Sequence, residues 1–160
     1  MTIERTNQGD LDLLDHPVAR RLLESSVPAR LGYIATDGTP RVTPMWFAWN
    51  GHAFVLGAAG SSPKVTALAA RPRVALTIDT HVAPYEALYV RGNAEIERVD
   101  GVVTEYAEAA LRYLGPEHGA AFAENASANF TDMARISIRP DWVGLVDFRD
   151  RFPSSYEGAT

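Results

Sequence analysis

The sequence predicts a mainly β domain of the α+β class, six- to seven-stranded and antiparallel, with helices appended rather than interleaved. Three observations predict it. Short segments rich in β-branched and aromatic residues recur at close spacing. Asp37-Gly38 and Asn50-Gly51 punctuate the first of them as hairpin turns do. The helical stretches do not alternate with the strands, which argues against a doubly wound parallel sheet. The 160 residues suit one domain with one core, with 1–10 and 153–160 expected as loose tails.

Asp15-His-Pro17 is expected to cap a helix over 18–24, and Pro28 to end it. Strands follow over 30–36, 40–49 and 52–58, forming a meander with two primed turns. The middle one is unusual, because Val42, Pro44, Trp46 and Ala48 alternate with Thr43, Met45, Phe47 and Trp49. A half-buried strand needs only one apolar face, so the second must meet a partner subunit, a ligand or another layer. Pro44 cannot donate to a ladder and marks an edge or a bulge. Ser62 and Pro63 open a short helix over 63–70, and 73–79 is a fourth strand. Residues 85–99 form one long strand or two short ones, with Gly92 as a bulge or bend. Asp100 is expected to cap a helix over 102–114, Gly115-Pro116 breaks it, and a weaker helix covers 117–125. Strands over 133–139 and 142–148 close the domain.

Composition excludes several function classes. There is no cysteine, hence no disulfide framework, thiolate metal site or cysteine nucleophile. A formal charge of −5 argues against nucleic acid as partner. No apolar run is long enough for a membrane span, and residues 1–10 lack the pattern of a signal peptide, so a cytoplasmic location is expected. His16, His52, His81 and His118 show no metal-ligand spacing, and no metal is expected. Gly60-Ser61-Ser62 is not a nucleophile elbow, and no residue stands out as catalytic.

The segment from Gly57 to Lys64 has small residues that let a backbone approach an anion, a hydroxyl at Ser62, and a lysine in the first turn of a helix. A cation there opposes the helix dipole, which suits a bound anion; an ordinary capped helix with a solvated lysine is the other reading. The tryptophans Trp46, Trp49 and Trp142 either pack the core and an interface or flank a planar ligand.

Arg41-Val-Thr-Pro-Met-Trp46, then Gly57-Ala58, Ser62-Pro-Lys64, Leu68, Pro72-Arg-Val74 and Gly92, resemble the pyridoxamine 5′-phosphate oxidase-like flavin-binding split β-barrels over about residues 12–150. The resemblance implies a homodimer with flavin sites at its interface. It places Arg41, Val42, Thr43, Pro44, Met45 and Trp46 along the ring system and ribityl chain. Gly57, Ala58, Ser62 and Lys64 would surround the phosphate, Ala87 would reach in from the other subunit, and Trp142 would begin the strand that closes the site. It further implies an FMN-dependent oxidoreductase acting by hydride transfer, taking a nicotinamide donor or a small-molecule substrate. A deazaflavin-dependent reductase and a non-catalytic flavin- or haem-storage protein are the alternatives. Tyr33, Tyr85 and Arg149 are candidates to donate hydrogen bonds to a substrate.

The sequence departs from the oxidase itself. Trp46 stands in place of a substrate-binding lysine, Ala110 follows Tyr106 where an arginine is expected, and Phe148-Arg-Asp-Arg-Phe152 lacks the C-terminal arginine–histidine pair. Pyridoxamine phosphate is therefore not the expected substrate. Pro63 also replaces an arginine that grips phosphate, leaving Lys64 and Arg41 as the main cations.

Overall fold

Alternating apolar residues drive one continuous antiparallel sheet in the computed structural model, which describes residues 7–152. The strands are β1 (Ala29–Ile34), β2 (Pro40–Met45), β3 (Ala48–Trp49), β4 (Phe54–Ala59), β5 (Arg73–Asp79), β6 (Glu86–Asp100) and β7 (Asp132–Asp147). Their spatial order is β2-β1-β5-β6-β7-β4-β3. β2 and β3 are therefore opposite edges of the sheet, yet only Trp46 and Phe47 separate them in sequence. The sheet curls until its edges meet through the chain, without closing by hydrogen bonds. The helices are α1 (Pro17–Glu24), α2 (Pro63–Ala70), α3 (Thr104–Leu114) and α4 (Pro116–Asn129), preceded by a 3₁₀ turn over Leu11–Asp15. None among the described residues is long and apolar enough to cross a membrane.

The interior is filled by inward residues of the strands, among them Leu31, Phe54, Leu56, Leu76, Leu88, Ile136 and Leu145, with Leu22 of α1 and Leu68 of α2 added. At α3 and α4 a second layer forms, and the helices approach closely because Gly119 leaves no Cβ to strike the Leu111 backbone.

Several local expectations change. Asp37-Gly38 and Asn50-Gly51 do turn the chain, but only the glycines take positive φ (+82° and +91°). A primed type I turn needs two such residues, so these are wider loops with the glycine alone left-handed. Asp15 is not the cap of α1; His16 is, its Nδ1 accepting from the Val18 N–H at 3.2 Å. Val103, not Asp100, is the N-cap residue of α3, with no side-chain bond. The strand expected over 40–49 breaks at Trp46, and the two expected C-terminal strands form one, β7. The expected bulge holds: the register shifts between Arg91 and Gly92, opposite Asp141. Gly92 has no room for a Cβ beside the Arg139 carbonyl.

Residues 153–160 and 1–6 lie outside the described residues, but the rest of the expected N-terminal tail is tied down. Gln8 brackets Leu145, donating from Nε2 to its carbonyl at 2.7 Å and accepting its N–H on Oε1 at 2.8 Å.

Candidate functional site

Register decides which side chains share the outer face of the sheet. Val42, Gly32, Ala75 and Arg91 lie side by side across β2, β1, β5 and β6, and Pro44, Arg30, Thr77 and Tyr89 form the next row. The small residues among them leave a groove of about 660 Å³. Gly32, Ala75, Thr77 and Ala87 contribute to it together with Val42, Tyr85, Tyr89 and Phe148. These large apolar groups face solvent: Val42 is 72% exposed and Tyr85 50%. A contiguous exposed apolar surface of this kind marks an interaction or ligand site.

The polar groups of the groove are held in place. Arg30 pairs with Asp79 at 2.9 Å. Glu86, itself buried, accepts from Arg21 at 2.6 Å and from Arg149 at 2.9 Å on the same oxygen. A buried carboxylate needs such partners, and two guanidiniums supply them. Tyr85 and Phe148 meet edge to face at 6.4 Å.

The inner side of β2 carries the second part. Met45 is buried, and the Lys64 Nζ lies 3.2 Å from its Sδ. Lys64 has no carboxylate partner among the described residues, and burial lowers its pKa from the ordinary lysine value. Ser62 occupies the N-cap position of α2 without a side-chain cap bond, which leaves its hydroxyl available. Arg41, by contrast, is spent on Asp37 at 3.0 Å, and Arg73 on Asp141 at 2.9 Å. Between groove and lysine runs β2, an edge strand paired only with β1 among the described residues. Its other edge offers unpaired backbone groups, and Pro44 sits there as the sequence led us to expect.

The structure thus brings Val42 and Ala87 together in the groove, and Met45 and Lys64 on the other side of β2. Thr43 lies on the inner face opposite Leu31. Other expected cofactor contacts are engaged within the chain. Trp46 stacks on Tyr113 at 5.2 Å and meets Phe122 edge-on at 5.1 Å, beneath α3 and α4. Gly57 is covered by Tyr106, whose Cβ would stand 2.9 Å from an added Cβ. Ala58 faces the core opposite Ala134. Trp142 packs over Gly9 and Gly144 with the Arg91 guanidinium 4.0 Å from its ring centre. Of the substrate candidates, Tyr85 lines the groove and Arg149 holds Glu86, whereas Tyr33 packs against the core.

Sequence reasoning missed Gly32, Ala75, Tyr89 and Glu86. Gly32 had a signal: an isolated glycine inside a strand often marks close approach by a ligand or another backbone. The others depend on register, which no local pattern states.

This arrangement can hold a planar ring on a small-residue floor and an anion near Lys64. The donor set fits a phosphate-bearing flavin, since one half-buried lysine, without a carboxylate partner among the described residues, adjoins an open strand edge. Known proteins agree with that reading of the fold. Among solved structures, an F420 reductase is 30% identical, covering 78% of this chain and 94% of its own with a TM-score of 0.61. A conserved hypothetical protein from Mycobacterium tuberculosis is 20% identical over 89% of this chain and 87% of its own, with a TM-score of 0.64. The heme storage protein HutZ from Vibrio cholerae is 14% identical over 82% and 93%, with a TM-score of 0.61. The last two share the fold alone. No curated protein sequence matches the chain. The family model described as pyridoxamine 5′-phosphate oxidase matches residues 16–147, the whole span from α1 to the end of β7. On that match and on the 30% identical reductase, the chain belongs to the pyridoxamine 5′-phosphate oxidase-like split-barrel family.

Proposed function

We propose that this protein is an oxidoreductase that holds a flavin-type coenzyme along the free edge of β2, between two copies of the chain. The observation that carries the proposal is the pairing of an open apolar groove with a half-buried lysine that no carboxylate among the described residues neutralises. The coenzyme supplies the hydride chemistry in such proteins, and the protein supplies binding, orientation and electrostatics.

Lys64 binds the coenzyme phosphate, helped by Ser62 at the start of α2. Backbone groups of β2 orient the ring, and the floor at Gly32 and Ala75 lets it approach. Tyr85, Tyr89 and Phe148 exclude water when the second copy covers them. The absence of cysteine suits a reducing cytoplasm, where nicotinamide donors are available.

The identity to an F420 reductase favours the deazaflavin as coenzyme. A specific observation favours FMN as the second reading: Arg41 and Arg73 are paired with carboxylates, which leaves few cations, Lys64 and Arg71, for a polyanionic tail. Titration of the purified protein with each coenzyme, followed by fluorescence, separates them. One of the two binds in the micromolar range or tighter. Lys64→Ala weakens it at least tenfold while circular dichroism stays unchanged, a loss on the scale of one charge-assisted hydrogen bond. Equal affinity in Lys64→Ala removes Lys64 from the site.

A further inference from the structure

A second cleft, of about 820 Å³, lies away from the groove, between the N-terminal helical segment and β3. Leu14, Leu23, Trp49 and Pro140 give it apolar walls, and Arg112 of α3 reaches it. Its volume is in the range of small-molecule pockets.

Arg112 is the informative residue. It is half-buried, and it donates from Nε to the Ser25 carbonyl at 3.0 Å and from Nη2 to the carbonyl of Phe47. The faces of Phe47 and Tyr113 lie 4.8 Å from its guanidinium carbon. None of these partners carries a negative charge, and Nη1 makes no hydrogen bond among the described residues. Arg135, also half-buried, shows the contrast, because Glu105 clasps it at 2.5 Å. Withdrawing a guanidinium from water without a counter-charge is costly, and an anion in the cleft offsets that cost.

The remaining charges narrow the class of anion. Asp15 and Arg20 are spent on each other at 2.7 Å. Asp12 and Glu24, also lining the cleft, have no ion pair among the described residues. With Asp12 and Glu24 in the same cleft, an anion has to contact the Arg112 guanidinium directly, and a dianion such as a phosphate monoester is repelled by the two carboxylates about twice as strongly as a monoanion. The indole of Trp49 offers an aromatic ligand a flat apolar wall.

We propose that this cleft binds a small aromatic carboxylic acid, its carboxylate on Arg112 and its ring against Trp49. The test compares indole-3-acetate with indole-3-acetamide, equal in shape but different in charge, on the full-length protein. The three tryptophan indole N–H signals report by NMR once assigned with Trp→Phe variants. The acid is expected to shift the Trp49 signal, to leave those of Trp46 and Trp142 in place, and to bind at least tenfold tighter than the amide. Phenyl phosphate at pH 8 should bind more weakly than either. Arg112→Gln should abolish the preference for the acid. Because Arg112 also ties two carbonyls, its melting temperature is checked, and the acid–amide pair on the unaltered protein decides if that variant unfolds. Equal binding of acid and amide, no binding, or a shift confined to Trp46 or Trp142 overturns the proposal.

Discussion

The two ends of the same sheet are finished in opposite ways. Around β4 both faces are covered: Leu56 points into the core, while Val55 packs with Val103 and Met133 beneath α3. Around β2 only one face is covered, with Met45 buried inside and Val42 in solvent. Glycine marks the difference. Gly57 on β4 exists because Tyr106 fills the space a side chain would take, whereas a Cβ at Gly32 on β1 would meet only the Ala75 carbonyl at 3.6 Å. One glycine serves the fold; the other leaves room for something outside the chain. Apolar alternation alone made the two ends look alike.

The contrast predicts where stability resides. The largest effect is expected at the covered end. Gly57→Val would press against Tyr106 and Met133 and cost about 3 kcal/mol, read as a lower denaturation midpoint at unchanged slope. A midpoint within error of the parent would mean that α3 yields freely there.

A smaller effect is expected from the ion pair that ties α3 to β7. The hydrogen bond from Arg135 holds the Glu105 carboxyl below its ordinary value. Its stabilisation is therefore present above the unfolded carboxylate range and lost as pH falls through the folded pKa. Glu105→Gln should cost about 1–2 kcal/mol at pH 7 and progressively less as pH falls below the unfolded carboxylate range, measured by urea melts. A cost independent of pH would show that packing, not charge, holds the contact.

The least effect on monomer stability belongs to the open end. Val42→Glu should leave the intrinsic stability of the monomer within about 0.5 kcal/mol, as exposed substitutions do, once the concentration-dependent contribution of association is subtracted. It should convert a species of twice 17.4 kDa, seen by light scattering, into one of 17.4 kDa. A parent protein that is already monomeric would remove the second copy from the proposed site.

These particulars show what was legible in the sequence. The α2 bounds follow from Ser62, Pro63 and the following Pro72, all local signals, and the bulge at Gly92 was equally local. The break of the second strand at Trp46 was not. Its apolar alternation runs on unbroken, and the chain bends there because Trp46 is received by Tyr113 and Phe122, more than sixty residues away. The site divides the same way. Lys64 was visible as a cation at a helix start, but that Arg41 is neutralised by Asp37 depends on how the hairpin closes. Trp46 and Gly57 matched a motif, yet packing gave their surroundings to the chain itself.

The account rests on the open face at β1 and β2 being kept clear for a coenzyme and a second subunit, and Gly32→Val tests that most directly. Valine suits a strand, and the nearest heavy atom to its Cβ stands at ordinary contact distance. Coenzyme titration and thermal melting are run on the same preparation. The account predicts a melting temperature within about 3 °C of the monomeric Val42→Glu protein, with coenzyme binding weakened at least tenfold. Retention of full coenzyme affinity in Gly32→Val would contradict it and place the binding site elsewhere on the barrel.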